Sequence, residues 1–298
     1  MSLILGRVAQ SDPSVCNTES TWIPNYKYEE TRYNINLLDV KRRIILEING
    51  HIPNNMTYRI NNYGFRGDDW EIGTDCDVCI GSSNTWGGGN YEENIYPTLI
   101  AKETGRTVYN LGYPAGTADG TFRYATYWLP ILKPKTVYSC WPGNTRSELI
   151  TTIGDNDEKI HRHISWEEHK RKSGRWPTTE EHYRGWFENP ENSMLNNLKN
   201  LMATKELCDN IGAEFIVTRP TFITIDDLSE EFQSQERYSI SQGGDWPIGD
   251  IARDIKHRGA EFQRVLAQRL LDINEYDWAV AELQQDVFEG ETHNENNR

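Results

Sequence analysis

Asp75-Cys76-Asp77-Val78-Cys79-Ile80-Gly81-Ser82-Ser83-Asn84-Thr85-Trp86-Gly87-Gly88-Gly89 is where the chain turns from polar, irregular sequence to a short apolar run closed by a glycine-rich turn. Cys76 to Ile80 has the length and apolar content of a strand buried on both faces. Downstream, Tyr91 to Thr104 carries a helical pattern with Gly105 placed to cap it. Arg106 to Leu111 reads as a second strand, Thr121 to Leu132 as a second helix stopped before Pro134, and Thr136 to Cys140 as a third strand. This alternation predicts an α/β fold with a parallel sheet, helices on both faces and right-handed crossovers. Ligands of such sheets bind beyond the carboxyl ends of the strands, so chemistry is expected in the loops after residues 80, 111 and 140.

Working outward, Ser193 to Ile211 has apolar residues at helical spacing and ends at Gly212, Ala213 to Thr218 reads as a fourth strand, and Phe262, Val265, Leu266 and Leu270 mark a last amphipathic helix. Between 219 and 250 only a weak helix near Leu228 to Phe232 is legible, and no fifth strand. Residues 1–70 are polar apart from a helical pattern at Leu37 to Leu46 and are expected to form an N-terminal extension. The main domain is expected over 71–280, with an insertion at about 145–190 carrying Trp166, Trp176 and Trp186, and residues 281–298 as an acidic tail.

A formal net charge of −14 argues against a nucleic-acid binder, because phosphate contacts need clustered Lys and Arg. No run of about 18 apolar residues is present, so no membrane span is expected. The start MSLILGRVAQSDPS lacks a basic region before its short apolar run and is read as having no signal peptide, which points to cytoplasmic synthesis. The five cysteines, Cys16, Cys76, Cys79, Cys140 and Cys208, are read as free thiols, since the Cys76/Cys79 pair sits in a strand rather than at a helix start. His161, His163 and His169 lie in charged sequence without a supporting cysteine or carboxylate spacing, so no metal and no cofactor is expected.

Ser83 occupies the turn after the first strand, flanked by glycines that let the backbone bend and a substrate approach. The second strand end continues Asn110-Leu111-Gly112-Tyr113-Pro114-Ala115-Gly116, and the third Trp141-Pro142-Gly143-Asn144-Thr145-Arg146. A serine nucleophile needs a base. Of the seven histidines, His257 alone has a carboxylate three residues before it in a compact setting, Asp254-Ile255-Lys256-His257.

Taken in order, Gly81 to Gly87 resembles the GDSxTxG block of the SGNH, or GDSL-like, hydrolases, Asn110 to Gly116 their glycine block, Pro142-Gly143-Asn144 their GxN block, and Asp254 to His257 their DxxH block. Asn61-Asn62-Tyr63-Gly64-Phe65-Arg66-Gly67 resembles a segment that often precedes the nucleophile block in bacterial and phage members. Ser82 stands where the family has Asp, and Pro142 where it has Gly. The resemblance implies a three-layer α/β/α sandwich around a parallel, flavodoxin-like five-stranded sheet. It also implies ester hydrolysis through an acyl-enzyme, with Ser83 attacking, His257 moving the proton and Asp254 orienting it. The oxyanion would be held by the Ser83 N–H, an N–H at Ala115 or Gly116, and the Asn144 side chain. Trp86, Trp141 and Arg146 are the expected substrate contacts, and O-acetyl groups on carbohydrate, small or polymeric, the expected substrate. The competing expectation is an SGNH-like domain without turnover, serving as a glycan-binding or structural component of an assembly such as a virion, with homo-oligomer or partner contacts through residues 1–70.

Overall fold

The computed structural model describes residues 16–24, 28–143, 147–153, 157–163, 189–240 and 244–284. Two short strands, β1 (Thr18–Ser20) and β2 (Tyr58–Ile60), pair antiparallel around two helices, α1 (Tyr28–Leu38) and α2 (Val40–Ile48). The central sheet follows, built from β3 (Cys76–Gly81), β4 (Thr107–Gly112), β5 (Thr136–Cys140) and, later, β8 (Glu214–Thr218). All its pairings are parallel, in the order β4-β3-β5-β8. The connecting helices are the single turn α3 (Ser83–Trp86), α4 (Tyr96–Thr104), α5 (Ala118–Leu132) and α6 (Pro190–Ile211). An antiparallel hairpin, β6 (Ser147–Ile153) with β7 (Asp157–His163), opens the expected insertion, and α7 (Glu230–Gln233), β9 (Arg237–Ile240), β10 (Gly244–Pro247) and α8 (Ala260–Asp272) complete the named elements.

Strand alternation explains the layers. Cys76, Val78 and Ile80 of β3, with Val137, Phe215 and Val217, face one core that also takes Ala125, Leu129 and Leu201 from α5 and α6. Cys79, Tyr138 and Cys140 face the other, with Tyr96 and Ile100 of α4 and Phe262 and Leu266 of α8. Because successive side chains point to opposite faces, both sides of the sheet must be apolar, and six consecutive residues of β3 are buried. Each fully buried Val, Ile or Leu contributes about 1.5–3 kcal/mol. The result is an α/β/α sandwich.

Helix boundaries follow their capping chemistry. The Thr117 hydroxyl accepts the Gly120 N–H at 3.0 Å to start α5, and the Asn189 side chain accepts the Glu191 N–H at 2.9 Å to start α6. Gly105 and Gly212 end α4 and α6 in the left-handed region, at φ +66° and +74°.

One expectation is corrected: among the described residues the sheet has four strands, not five, and β9 and β10 pair only with each other. From the expected N-terminal extension, Tyr33, Ile45 and Leu46 are buried in the same core as Cys79 and Tyr96. A helix at 276–284 buries Ala279 and Leu283. Among the described residues no helix is long and apolar enough to cross a membrane. The five cysteines are free, four of them buried; burial pushes Cys76 up to about 11 and Cys140 and Cys208 up to about 12, so these thiols stay protonated.

Candidate active site

Ser83 is placed by the break between β3 and α3. Gly81 has φ +151°, and a Cβ there would lie 2.6 Å from the Cys140 carbonyl oxygen and closer still to the Thr85 hydroxyl. Gly81→Ala is therefore expected to cost about 2 kcal/mol or more, measured as a lowered urea midpoint. Ser82 is the N-cap, Ser83 the first helical residue, and Gly87 closes the turn at φ +79°. Ser83 is only 5% exposed.

The carbonyls of this turn are held one by one. Gln263 of α8 donates to Asn84 O at 3.2 Å, and Asn110 of β4 to Thr85 O at 3.0 Å. Arg66 donates to Trp86 O at 3.1 Å, Gly87 O at 2.6 Å and Asn90 O at 2.7 Å. Its guanidinium lies beside both the Tyr58 and Trp86 rings, 4.7 and 5.1 Å from their centroids, and is itself buried, which lowers its pKa.

His257 comes from the loop between β10 and α8. Asp254 Oδ1 accepts the N–H groups of Lys256 and His257 at 3.0 and 3.1 Å, and Oδ2 lies 2.6 Å from His257 Nδ1. Between them Ile255 has φ +52°, a left-handed conformation that a β-branched residue adopts only under strain. The pair is thus a tight non-helical turn. Its ends are tied by Gly259 N–H to Asp250 O at 2.8 Å and Arg253 N–H to Gly89 O at 2.9 Å. His257 Nε2 lies 2.8 Å from Ser83 Oγ. With Nδ1 donating to a carboxylate, Nε2 is the acceptor of the Ser83 hydroxyl proton. Burial pushes the Asp254 carboxyl up, but the His257 ring and the loop N–H bonds outweigh it and hold the group below the usual carboxylate range. Asp254 is therefore anionic at neutral pH. Gly88 lies against the imidazole: a Cβ there would sit 3.3 Å from His257 Cε1.

Beyond β4, a Cβ on Gly116 would stand 2.7 Å from Ser82 Cα, so the glycine block packs directly on the residue before the serine. The Gly116 N–H, one of two expected oxyanion donors, is bonded to Tyr113 O at 3.2 Å, which closes a turn. Ala115, the other, has φ +57°. The Ser83 N–H belongs to the first turn of α3, where no intrahelical acceptor exists. Asn144 and Arg146 lie outside the described residues, as do Trp166, Trp176, Trp186 and His169.

Two expected substrate contacts are not at the surface. Trp86 packs with Met56, Tyr58 and Ile60, and Trp141 is buried in the core with its indole N–H donating to Asn197 Oδ1 at 2.6 Å. An open groove of about 1030 Å³ is lined by Glu71, Tyr91, Glu92 and Arg106 among others, but not by Ser83, Asp254 or His257. Groups of three or more His, Cys, Asp or Glu able to hold a metal are absent among the described residues.

No family model matches the chain, and no curated protein matches it. Among solved structures it is similar to a protein from Desulfitobacterium hafniense DCB-2 described as lipolytic and of the G-D-S-L family, at 17% identity and a TM-score of 0.29, over 48% of this chain and 58% of that one.

Proposed function

We propose that the chain is a serine hydrolase of carboxylic esters, using Ser83, His257 and Asp254 as a triad. The observation that carries this reading is the unbroken series from Ser83 Oγ to His257 Nε2 at 2.8 Å and from His257 Nδ1 to Asp254 Oδ2 at 2.6 Å. A serine hydroxyl is a weak nucleophile until a base removes its proton as it attacks. In this reading Oγ attacks the ester carbonyl carbon while Nε2 takes the proton, and the Asp254 carboxylate stabilises the imidazolium without itself becoming protonated. The negative charge that develops on the carbonyl oxygen is met by the Ser83 N–H and the N–H at Ala115, joined by the Asn144 side chain as the SGNH resemblance implies. The imidazolium then protonates the leaving alkoxide, and water, activated by the same ring, releases the acid and regenerates the serine.

Within this class O-acetyl groups on carbohydrate are the substrate to test first, with Trp86 and Trp141 buried rather than open to a sugar ring. The test is stopped-flow hydrolysis of p-nitrophenyl acetate beside acetate release from an O-acetylated oligosaccharide. The reading expects an initial release of p-nitrophenol no larger than one equivalent of enzyme, followed by steady turnover, and acetate release from the sugar. Turnover of the aryl ester without release from any acetylated glycan would discard the carbohydrate; no turnover of any ester would discard the hydrolase.

A further inference from the structure

The geometry points to a buried Glu29–Arg253–Tyr58 cluster as a positioning device for the Ser83–His257–Asp254 series, so that residues from the N-terminal 70 are working parts of the site. The inference rests on the hydrolase reading for its kinetic consequence but not for its structural one.

Arg253 immediately precedes Asp254, and its guanidinium is buried. Nη2 donates to Glu29 Oε1 at 2.8 Å and to Thr21 O at 2.8 Å, and Nη1 donates to Asn54 Oδ1 at 2.7 Å. Side-chain exposure of Arg253 and Glu29 is 1% and 2%, so neither charge has water as an alternative partner. Glu29 Oε1 also accepts the Tyr58 hydroxyl at 2.7 Å, and Oε2 the Ile23 N–H at 2.8 Å. The Tyr58 oxygen in turn accepts the Gly89 N–H at 3.1 Å, while Gly89 O accepts the Arg253 N–H at 2.9 Å. A closed ring of bonds results: Gly89 to Tyr58, to Glu29, to the Arg253 side chain, and through the Arg253 backbone to Gly89.

The two ends of that ring are the two halves of the site. Gly89 follows Gly88, which packs against the imidazole, and terminates the loop that begins at Ser83. Arg253 begins the strained turn that carries Asp254 and His257. An isolated carboxylate or guanidinium in this position is costly, so each half of the ring is held at one separation from the other by the need to keep the pair matched. Small changes in that separation fall directly on the Ser83 to His257 distance, where an error of about 1 Å costs about 100-fold in rate. The Glu29, Arg253 and Tyr58 side chains are hydrogen-bonded to one another and to backbone rather than to the serine or the imidazole, so their action is through the backbone.

The experiment uses the full chain with 15N-labelled histidine, in wild type, Glu29→Gln and Tyr58→Phe. Tyr58→Phe keeps the ring that stacks on Arg66 and Trp86 and removes only the hydroxyl. It serves as the deciding variant where Glu29→Gln does not fold. Both are expected to shift the pH at which the His257 nitrogens titrate and to lower kcat with KM within about 2-fold, by about 100-fold for Glu29→Gln and about 10-fold for Tyr58→Phe. An unmoved His257 titration in folded variants overturns the inference, whether kcat falls or not. A shifted titration in a chain that hydrolyses no ester sustains the positioning device and overturns the hydrolase reading instead.

Discussion

Ser83→Ala is expected to lower kcat for p-nitrophenyl acetate by about 10⁴-fold while KM changes little. Oγ is the atom 2.8 Å from His257 Nε2, and without it the base has no proton to take and the acyl group no oxygen to join. Loss should be confined to the chemical step, because the side chain is buried and small and offers a bound substrate little else. His257→Ala is expected to fall to the same floor, and the double variant no lower, since residues that act as a unit lose their effect together rather than in sum. Asp254→Asn should also lose about 10⁴-fold, for a different reason: an amide at Oδ2 can donate to Nδ1 and fix the tautomer that leaves Nε2 protonated. Additive losses in the Ser83→Ala and His257→Ala double variant would show that the two side chains act separately.

Acid is expected to destabilise the fold through His51 before carboxylates begin to titrate. The ring is buried, with Nε2 donating to Ile251 O at 3.1 Å and Nδ1 without a partner. Burial chiefly, with the nearby Arg253 charge adding to it, lowers its pKa from 6.5 to about 4. Because the folded value is the lower one, the unfolded chain binds a proton that the folded chain does not throughout that window. Stability from this group is complete above 6.5 and falls as the pH drops toward 4, by about 3 kcal/mol in all. Urea unfolding at pH 7 and about pH 4.5 should show wild type losing about 2–3 kcal/mol more than His51→Gln. Equal losses would mean that His51 is protonated in the folded state or that the ring is open to water.

The central strands were legible because each is a short apolar run bounded by glycine or proline: Thr136–Cys140 was read to the residue, and β3 and β4 to within one. The order of Ser83, Asp254 and His257 in the chain was legible from the blocks. Of the N-terminal part only the helical pattern at Leu37 to Leu46 was, where the chain forms the end of α1 and most of α2. Glu29, Tyr58, Arg66 and Arg253 are polar or charged, and a hydropathy pattern assigns such residues to solvent, whereas here they are buried because each satisfies the others. One sign was available: Arg66 falls in the Asn61 to Gly67 segment that resembles a family block. The burial of Trp86 and Trp141 has the same origin: Met56, Tyr58 and Ile60 cover Trp86, and Asn197 of α6 takes the Trp141 N–H.

The most direct test of Ser83 as an activated nucleophile is mass spectrometry of the protein after reaction with a fluorophosphonate. One adduct per chain, on the peptide containing Ser83, is predicted, with labelling slowed about 10³-fold or more in folded His257→Ala. A folded chain that takes no label, or labels at another residue, or labels Ser83 equally fast without His257, would contradict it.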